Sequence, residues 1–229
     1  MKRTPFAIGE YYHIYNRGTD KREIFLCRED LDRFFLCMQE FNCIEPIGSI
    51  FEIIHSKRKF GGEASKKSEG LVEFVAYCLN PNHYHFILKE VVDRGIAKYM
   101  QRLGTGYTMY FNEKYQRNGS LFQGPYKAKH TSTNEYLLHL SVYVNLNFLV
   151  HRFGGLASKL WKSSWGEYSG REKVTKNFCK KDIILNQYSS TREYISSAKE
   201  TLADILERKE SEGVLRDLLL EASPPNRRG

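Results

Sequence analysis

The sequence predicts an α+β fold, an antiparallel sheet with helices packed on one face. Short runs rich in aromatic and β-branched residues alternate with longer stretches whose apolar residues recur at helical spacing, and no internal repeat is visible. Their order is strand, helix, strand, strand, strand, helix, strand, helix, which suits a layered α+β sandwich.

The first strand is Tyr11-Tyr12-His13-Ile14-Tyr15-Asn16, closed by Arg17-Gly18. Leu31, Phe34, Phe35, Met38 and Phe41 then recur at steps that predict an amphipathic helix from Arg28 to Phe41. Two strands follow, over Ser49 to His55 and Leu71 to Leu79, joined by the polar, glycine-bearing stretch Ser56 to Gly70, which reads as a mobile hairpin tip. The turn Pro81-Asn82 opens a further strand that ends near Lys89.

A second helix is expected from Gly95 to Tyr115, with Ile96, Met100, Leu103, Tyr107, Tyr110 and Phe111 on its apolar side. Gly104 and Gly106 inside it each weaken a helix by about 1 kcal/mol, so they mark a kink or the close approach of another backbone. Gly119 to Lys129 reads as a turn and a short strand. The third helix opens on the capping-box signature Ser132 and Glu135. Leu137, Leu140, Val144 and Phe148 supply its buried stripe, while Tyr136, His139, Tyr143 and Asn147 line another face.

Composition restricts the class of protein. A chain of 229 residues with 41% hydrophobic and 14% aromatic residues can build a sizeable core. No apolar run approaches the roughly 18 residues of a membrane span, so no membrane partner is expected. The N-terminus shows no secretory signal. The five cysteines (Cys27, Cys37, Cys43, Cys78, Cys179) are scattered and lack Cys-x-x-Cys spacing, which fits reduced thiols in a cytoplasmic protein. The net charge is +8 and the pI about 9.1. From Glu193 to Glu221 eight acidic residues face four basic ones, so the remainder carries +12. A basic body of this size points first to nucleic acid.

The segment Asn80-Pro81-Asn82-His83-Tyr84-His85-Phe86 carries the most chemistry. Residues two apart on a strand share a face, so His83 and His85 project together as a pair of neutral donors suited to a divalent metal. By themselves two donors are half a site, and a chance pair on a half-buried strand reads equally well.

Several segments together resolve that choice. Tyr12-His13-Ile14-Tyr15-Asn16-Arg17-Gly18, Tyr77 to Phe86, Gly119-Ser120-Leu121-Phe122-Gln123-Gly124 with Tyr126-Lys127-Ala128, Tyr143-Val144-Asn145-Leu146-Asn147, and Ser163-Ser164 with Tyr168 occur in this order between Tyr11 and Gly170. In these segments the chain resembles the HUH-class single-tyrosine transposases, in particular the branch associated with repetitive extragenic palindromes. The resemblance implies a ferredoxin-like sheet, a Mg²⁺ or Mn²⁺ cofactor, and a tyrosine nucleophile that nicks and rejoins single-stranded, hairpin-forming DNA through a 5′-phosphotyrosine. It assigns the metal to His83, His85 and the side-chain oxygen of Asn147, and the nucleophile to Tyr143. Two positions depart from the family: Phe148 stands where proline is usual, and Pro125 where arginine is usual.

Arg17, Lys127 and Lys129 are candidate phosphate contacts, and Phe122 and Tyr126 candidate base-stacking surfaces. His139 is a candidate accessory group one turn before Tyr143, and His13 reads as a sheet residue or DNA contact. Residues 1–170 are expected to form the catalytic domain and 171–229 a basic linker with an acidic helical extension, in a monomer or homodimer. That extension either packs on the body, binds a partner, or covers the basic cleft as a DNA mimic. A hairpin-binding protein that no longer transposes remains the alternative function. A zinc hydrolase or deaminase would want Cys-x-x-Cys or a catalytic glutamate near the histidines, and neither is present.

Overall fold

Side chains on the first strand alternate between two chemistries, and that alternation organises the fold. The computed structural model describes residues 5–45, 48, 50, 52, 70–151, 159–170 and 177–221. Strand β1 (Tyr11–Arg17) is followed by helix α1 (Arg28–Glu40), strands β2 (Val72–Asn80) and β3 (His83–Glu90), helix α2 (Gly95–Lys114) and strand β4 (Lys127–His130). All pairings are antiparallel, and with the two-residue β5 (Lys162–Ser163) the sheet order is β4-β1-β3-β2-β5. The first four strands thus have ferredoxin-like connectivity, β-α-β-β-α-β, as the sequence resemblance implied.

Helices α1 and α2 cover one face. Tyr12 and Ile14 of β1 and Tyr84, Phe86 and Leu88 of β3 point into an aromatic core with Phe25, Phe34, Tyr99 and Tyr107. The buried tyrosine hydroxyls find backbone acceptors: Tyr107 donates to Ile24 O at 2.6 Å and Tyr99 to Met38 O at 3.2 Å. A register shift between Phe74 and Ala76 lets Phe74 and Tyr77 share this core although they are an odd number of residues apart. Both helix starts are fastened by carboxylates. Asp30 accepts from Leu26 N and pairs with Lys114 at 2.6 Å, and Glu90 accepts from Gly95 N and Ile96 N. Gly106 is a close-approach position, because a Cβ there would sit 2.5 Å from the Phe41 ring.

The opposite face is covered by α3 (Asn134–Asn145), α5 (Trp165–Ser169), α6 (Asp182–Leu185) and α7 (Thr191–Glu221). Leu137, Leu140 and Val144 pack on Val75, Ala76, Cys78 and Ile87, and Tyr168, Ile184, Tyr194 and Ala198 join them. Residues well beyond 170 therefore share a core with the sheet. The α3 cap is Thr133, one residue after the expected Ser132, and it accepts from Tyr136 N at 3.1 Å. The helix does not run on through Asn147: it breaks at Leu146 and resumes as the short α4 (Asn147–Val150). The strand expected over Ser49 to His55 falls mostly outside the described residues, and its two described positions, Ile50 and Glu52, are helical. Most of the loop Ser56 to Gly70 also lies outside them.

Candidate active site

The sheet register assembles the site on the face away from α1 and α2. Strand β1 sets Tyr15 opposite His85 and Arg17 opposite His83, while β2 sets Cys78 opposite His85 and Asn80 opposite His83. On the edge, β4 sets Lys127 opposite Tyr15 and Lys129 opposite His13. Because β3 alternates, His83 and His85 share this face while Tyr84 and Phe86 enter the aromatic core.

The hydrogen bonds of His83 define its protonation. Its Nδ1 lies 2.6 Å from Asn82 Oδ1, the shorter of its two contacts with an amide oxygen, so the single proton of the neutral ring belongs on Nδ1 and Nε2 holds a lone pair. That Nε2 is 3.1 Å from Asn147 Oδ1 and 3.0 Å from the Asn80 amide nitrogen, which also donates to Asn147 Oδ1 at 2.8 Å. Two acceptors, one imidazole and one amide, therefore converge on a single donor. Their 3.1 Å separation matches the edge of an octahedron, about 3 Å, around an ion with Mg²⁺-like ligand distances. Asn147 Nδ2 is buried without a partner among the described residues, as expected if the oxygen must face inward.

No three His, Cys, Asp or Glu side chains group as a metal site among the described residues. A cation here would need the amide oxygen of Asn147 beside His83 and His85. The residues present fit a divalent ion on that basis, since the two lone pairs of His83 and Asn147 already converge.

Tyr143, half-buried on α3, lies edge-on to His85 with ring centroids 5.5 Å apart, and edge-on to His13 at 6.2 Å. Burial pushes its hydroxyl above the usual phenol range, while a hydrogen bond with the Asn147 side chain opposes this. The phenol is thus protonated at neutral pH. Burial acts on the surrounding imidazoles in the opposite charge sense. His13 is lowered to about 4 by burial and then by Lys129, His151 to about 4 by burial and then by His83, and His83 and His85 are lowered chiefly by burial. All are neutral at pH 7, the form that can donate a lone pair.

Two neighbours, His151 and Lys209, escape the sequence reading, and His13 is read there only as a sheet residue or DNA contact. His13 Nε2 lies 2.9 Å from His85 Nδ1. The His151 ring stands 4.5 Å from that of His83, edge to face. Lys209 of α7 donates to Val150 O, which brings a cation near His83 and His151. Asn80 and Asn82 lie within the recognised motif, but only their contacts reveal that they address His83.

The segment between Tyr143 and Asn147 is anchored by Asn145. Its Oδ1 accepts from the Ser164 hydroxyl at 2.5 Å and its Nδ2 donates to the Tyr194 hydroxyl at 3.0 Å. Ser164 in turn bonds both backbone groups of Tyr77. This buried network ties α3 to β2 and to α7.

The remaining candidates are placed more loosely. Lys127 and Lys129 are exposed on β4, over the rings of Tyr15 and Tyr136 at 5.9 and 4.6 Å. Arg17 bonds Gln123. Tyr126 is half-buried and lines a 610 Å³ groove beside α2. Phe122 is mostly buried, edge-on to Tyr84 at 5.8 Å, so little of its ring is open for stacking. His139 is exposed and makes no hydrogen bond among the described residues.

Residues 58–147 match the family described as Transposase IS200 like. No curated protein matches the chain. Among solved structures, the chain is similar to a REP-associated tyrosine transposase bound to a REP hairpin. That match has 14% identity, covers 78% of this chain and 94% of that one, and has a TM-score of 0.46. The resemblance read from the sequence is borne out: residues 58–147 of this chain carry the pattern of the IS200-like transposases.

Proposed function

We propose that this protein is a metal-dependent single-strand DNA endonuclease and strand transferase of the transposase type. The substrate in this reading is hairpin-forming DNA carrying palindromic repeats, as the motifs shared with the REP-associated branch imply. The observation that carries it is the meeting of the Tyr143 phenol with His83, His85 and Asn147 on one sheet face, beside a basic strand edge. Residues 1–170 supply this chemistry, with 171–229 as an extension, in a cytoplasmic monomer or homodimer.

His83, His85 and Asn147 would hold Mg²⁺ or Mn²⁺, which when bound offsets charge on a non-bridging phosphate oxygen. The chain's own groups account for the rest. Lys127 and Lys129 on the edge strand, with Arg17 at the end of β1, attract and align the DNA backbone. The Tyr143 oxygen forms a bond to phosphorus, the bond to the 3′-oxygen breaks, and the phenolic proton ends on the released 3′-hydroxyl. An aryl oxygen is a good leaving group, so a DNA hydroxyl can reverse the link without an external energy source. The Tyr143 phenol is protonated at neutral pH and burial raises it further, so its attack requires that proton to leave as the bond to phosphorus forms.

Incubation of the purified protein with a palindrome-bearing oligonucleotide and Mn²⁺ tests this reading. Cleavage is expected, with loss on chelation and in Tyr143→Phe while hairpin binding persists. Binding by the parent protein without any cleavage would leave a hairpin-recognition protein instead, and a Tyr143→Phe variant that cleaves as well as the parent refutes the nucleophile.

A further inference from the structure

We propose that His13 is a positioning residue that fixes the tautomer and orientation of His85, leaving Nε2 as the open nitrogen of that ring. The two strands place it there. His13 pairs with Ile87 across β1 and β3, which makes His85, two residues earlier on the same face, its diagonal neighbour. The rings stack with centroids 5.1 Å apart, and His13 Nε2 comes within 2.9 Å of His85 Nδ1.

One proton lies between these two nitrogens, and its owner decides what His85 can do. If His13 donates, His85 must carry its own proton on Nε2 and has no lone pair left for a cation. If His85 donates, its Nε2 is free, and His13 holds its own proton on Nδ1. The second arrangement gives His85 the form that Asn82 imposes on His83: a bonded Nδ1–H and an open Nε2. Each histidine of the pair then has its own fixed acceptor, an amide oxygen for His83 and an imidazole for His85.

The surroundings hold His13 to this task. It is 8% exposed, its ring stacks on Tyr15 at 4.8 Å, and its edge contact with Tyr143 at 6.2 Å closes the third side. His13 is not itself a donor to a cation, because its Nε2 is turned to His85. Partners of this kind raise ligand basicity and typically contribute 10–100-fold to metal affinity.

The inference rests on the assignment of His83, His85 and Asn147 as a metal site, and two measurements separate them. Long-range ¹H–¹⁵N NMR of the histidine side chains in the metal-free parent reads the tautomer directly. His85 is expected with its proton on Nδ1, and a proton on His85 Nε2 overturns the proposal whatever the metal does. Mn²⁺ titration followed by electron paramagnetic resonance then compares the parent with His13→Phe and His13→Gln. A glutamine oxygen can accept from His85 Nδ1–H where phenylalanine cannot. Affinity should fall about 10–100-fold in His13→Phe and largely recover in His13→Gln. Parental affinity in folded His13→Phe, or no recovery in His13→Gln, contradicts the role. If His13→Phe fails to fold, the His13→Gln affinity and the parent tautomer still decide. A parent that keeps the Nδ1–H tautomer but binds no Mn²⁺ supports the positioning by His13 and overturns the metal assignment alone.

Discussion

The two faces of strands β1 and β3 use neighbouring residues for opposite purposes. On one face Tyr12, Ile14, Tyr84 and Phe86 pack into a dry aromatic core under α1 and α2. On the other His13, Tyr15, His83 and His85 form a polar cluster with Tyr143 and Asn147. On the first face the buried Tyr107 and Tyr99 hydroxyls donate to backbone carbonyls. The second leaves acceptors aimed at one another across a shared donor, Asn80. The first face carries the larger apolar core and the second a smaller one beside the candidate site, although the residues concerned are adjacent in sequence.

Substitution of adjacent residues on β3 tests that division most strongly. Tyr84→Ala should cost about 3–5 kcal/mol in urea unfolding, as for other large aromatic truncations in a core. His83→Ala should cost about 1–2 kcal/mol, the penalty for stranding the Asn82 and Asn80 side chains, yet remove metal-dependent cleavage. If both variants lose stability equally and keep cleavage in proportion to folded protein, the division fails.

Acid should distinguish the faces next. His13 and His151 are depressed to about 4 in the folded protein, against about 6.5 when unfolded, so the folded state favours their neutral forms. That contribution is complete above pH 6.5 and is lost as pH falls through 6.5 towards 4. Between pH 7.5 and 5 the loss should be about 2 kcal/mol for buried His13 and less for the more exposed His151, measured as a falling urea midpoint in chelator. His13→Gln should flatten the slope, and an unchanged slope would remove His13 from the cause.

A smaller effect is expected where the C-terminal helix meets the site. Tyr194→Phe removes the hydroxyl that receives the Asn145 amide, worth about 1 kcal/mol in stability. Because Asn145 lies between Tyr143 and Asn147, cleavage should drop further than the folded fraction does. Cleavage that merely tracks folding would make this contact purely structural.

What the sequence conveyed follows from the range of the interactions involved. The period-two step that places His83 and His85 on one face is local, and so is the helical spacing of Leu137, Leu140 and Val144. Tyr143 and Asn147 do meet, although by a break at Leu146 and not by one continuous turn. His13 depends on the register between strands separated by α1, β2 and their connections, so nothing near it in sequence announces His85. Phe122 resembles a stacking residue by type, but its bridge to Gly18 commits it to the core.

In the proposed reaction Tyr143 forms the covalent bond to DNA. Mass spectrometry of tryptic fragments after reaction with Mn²⁺ and a 5′-blocked hairpin oligonucleotide, quenched before rejoining, measures it directly. An oligonucleotide phosphate linked through its 5′ end to the peptide containing Tyr143 is expected. An adduct on another residue, or metal-dependent cleavage with no protein–DNA adduct at all, would contradict it.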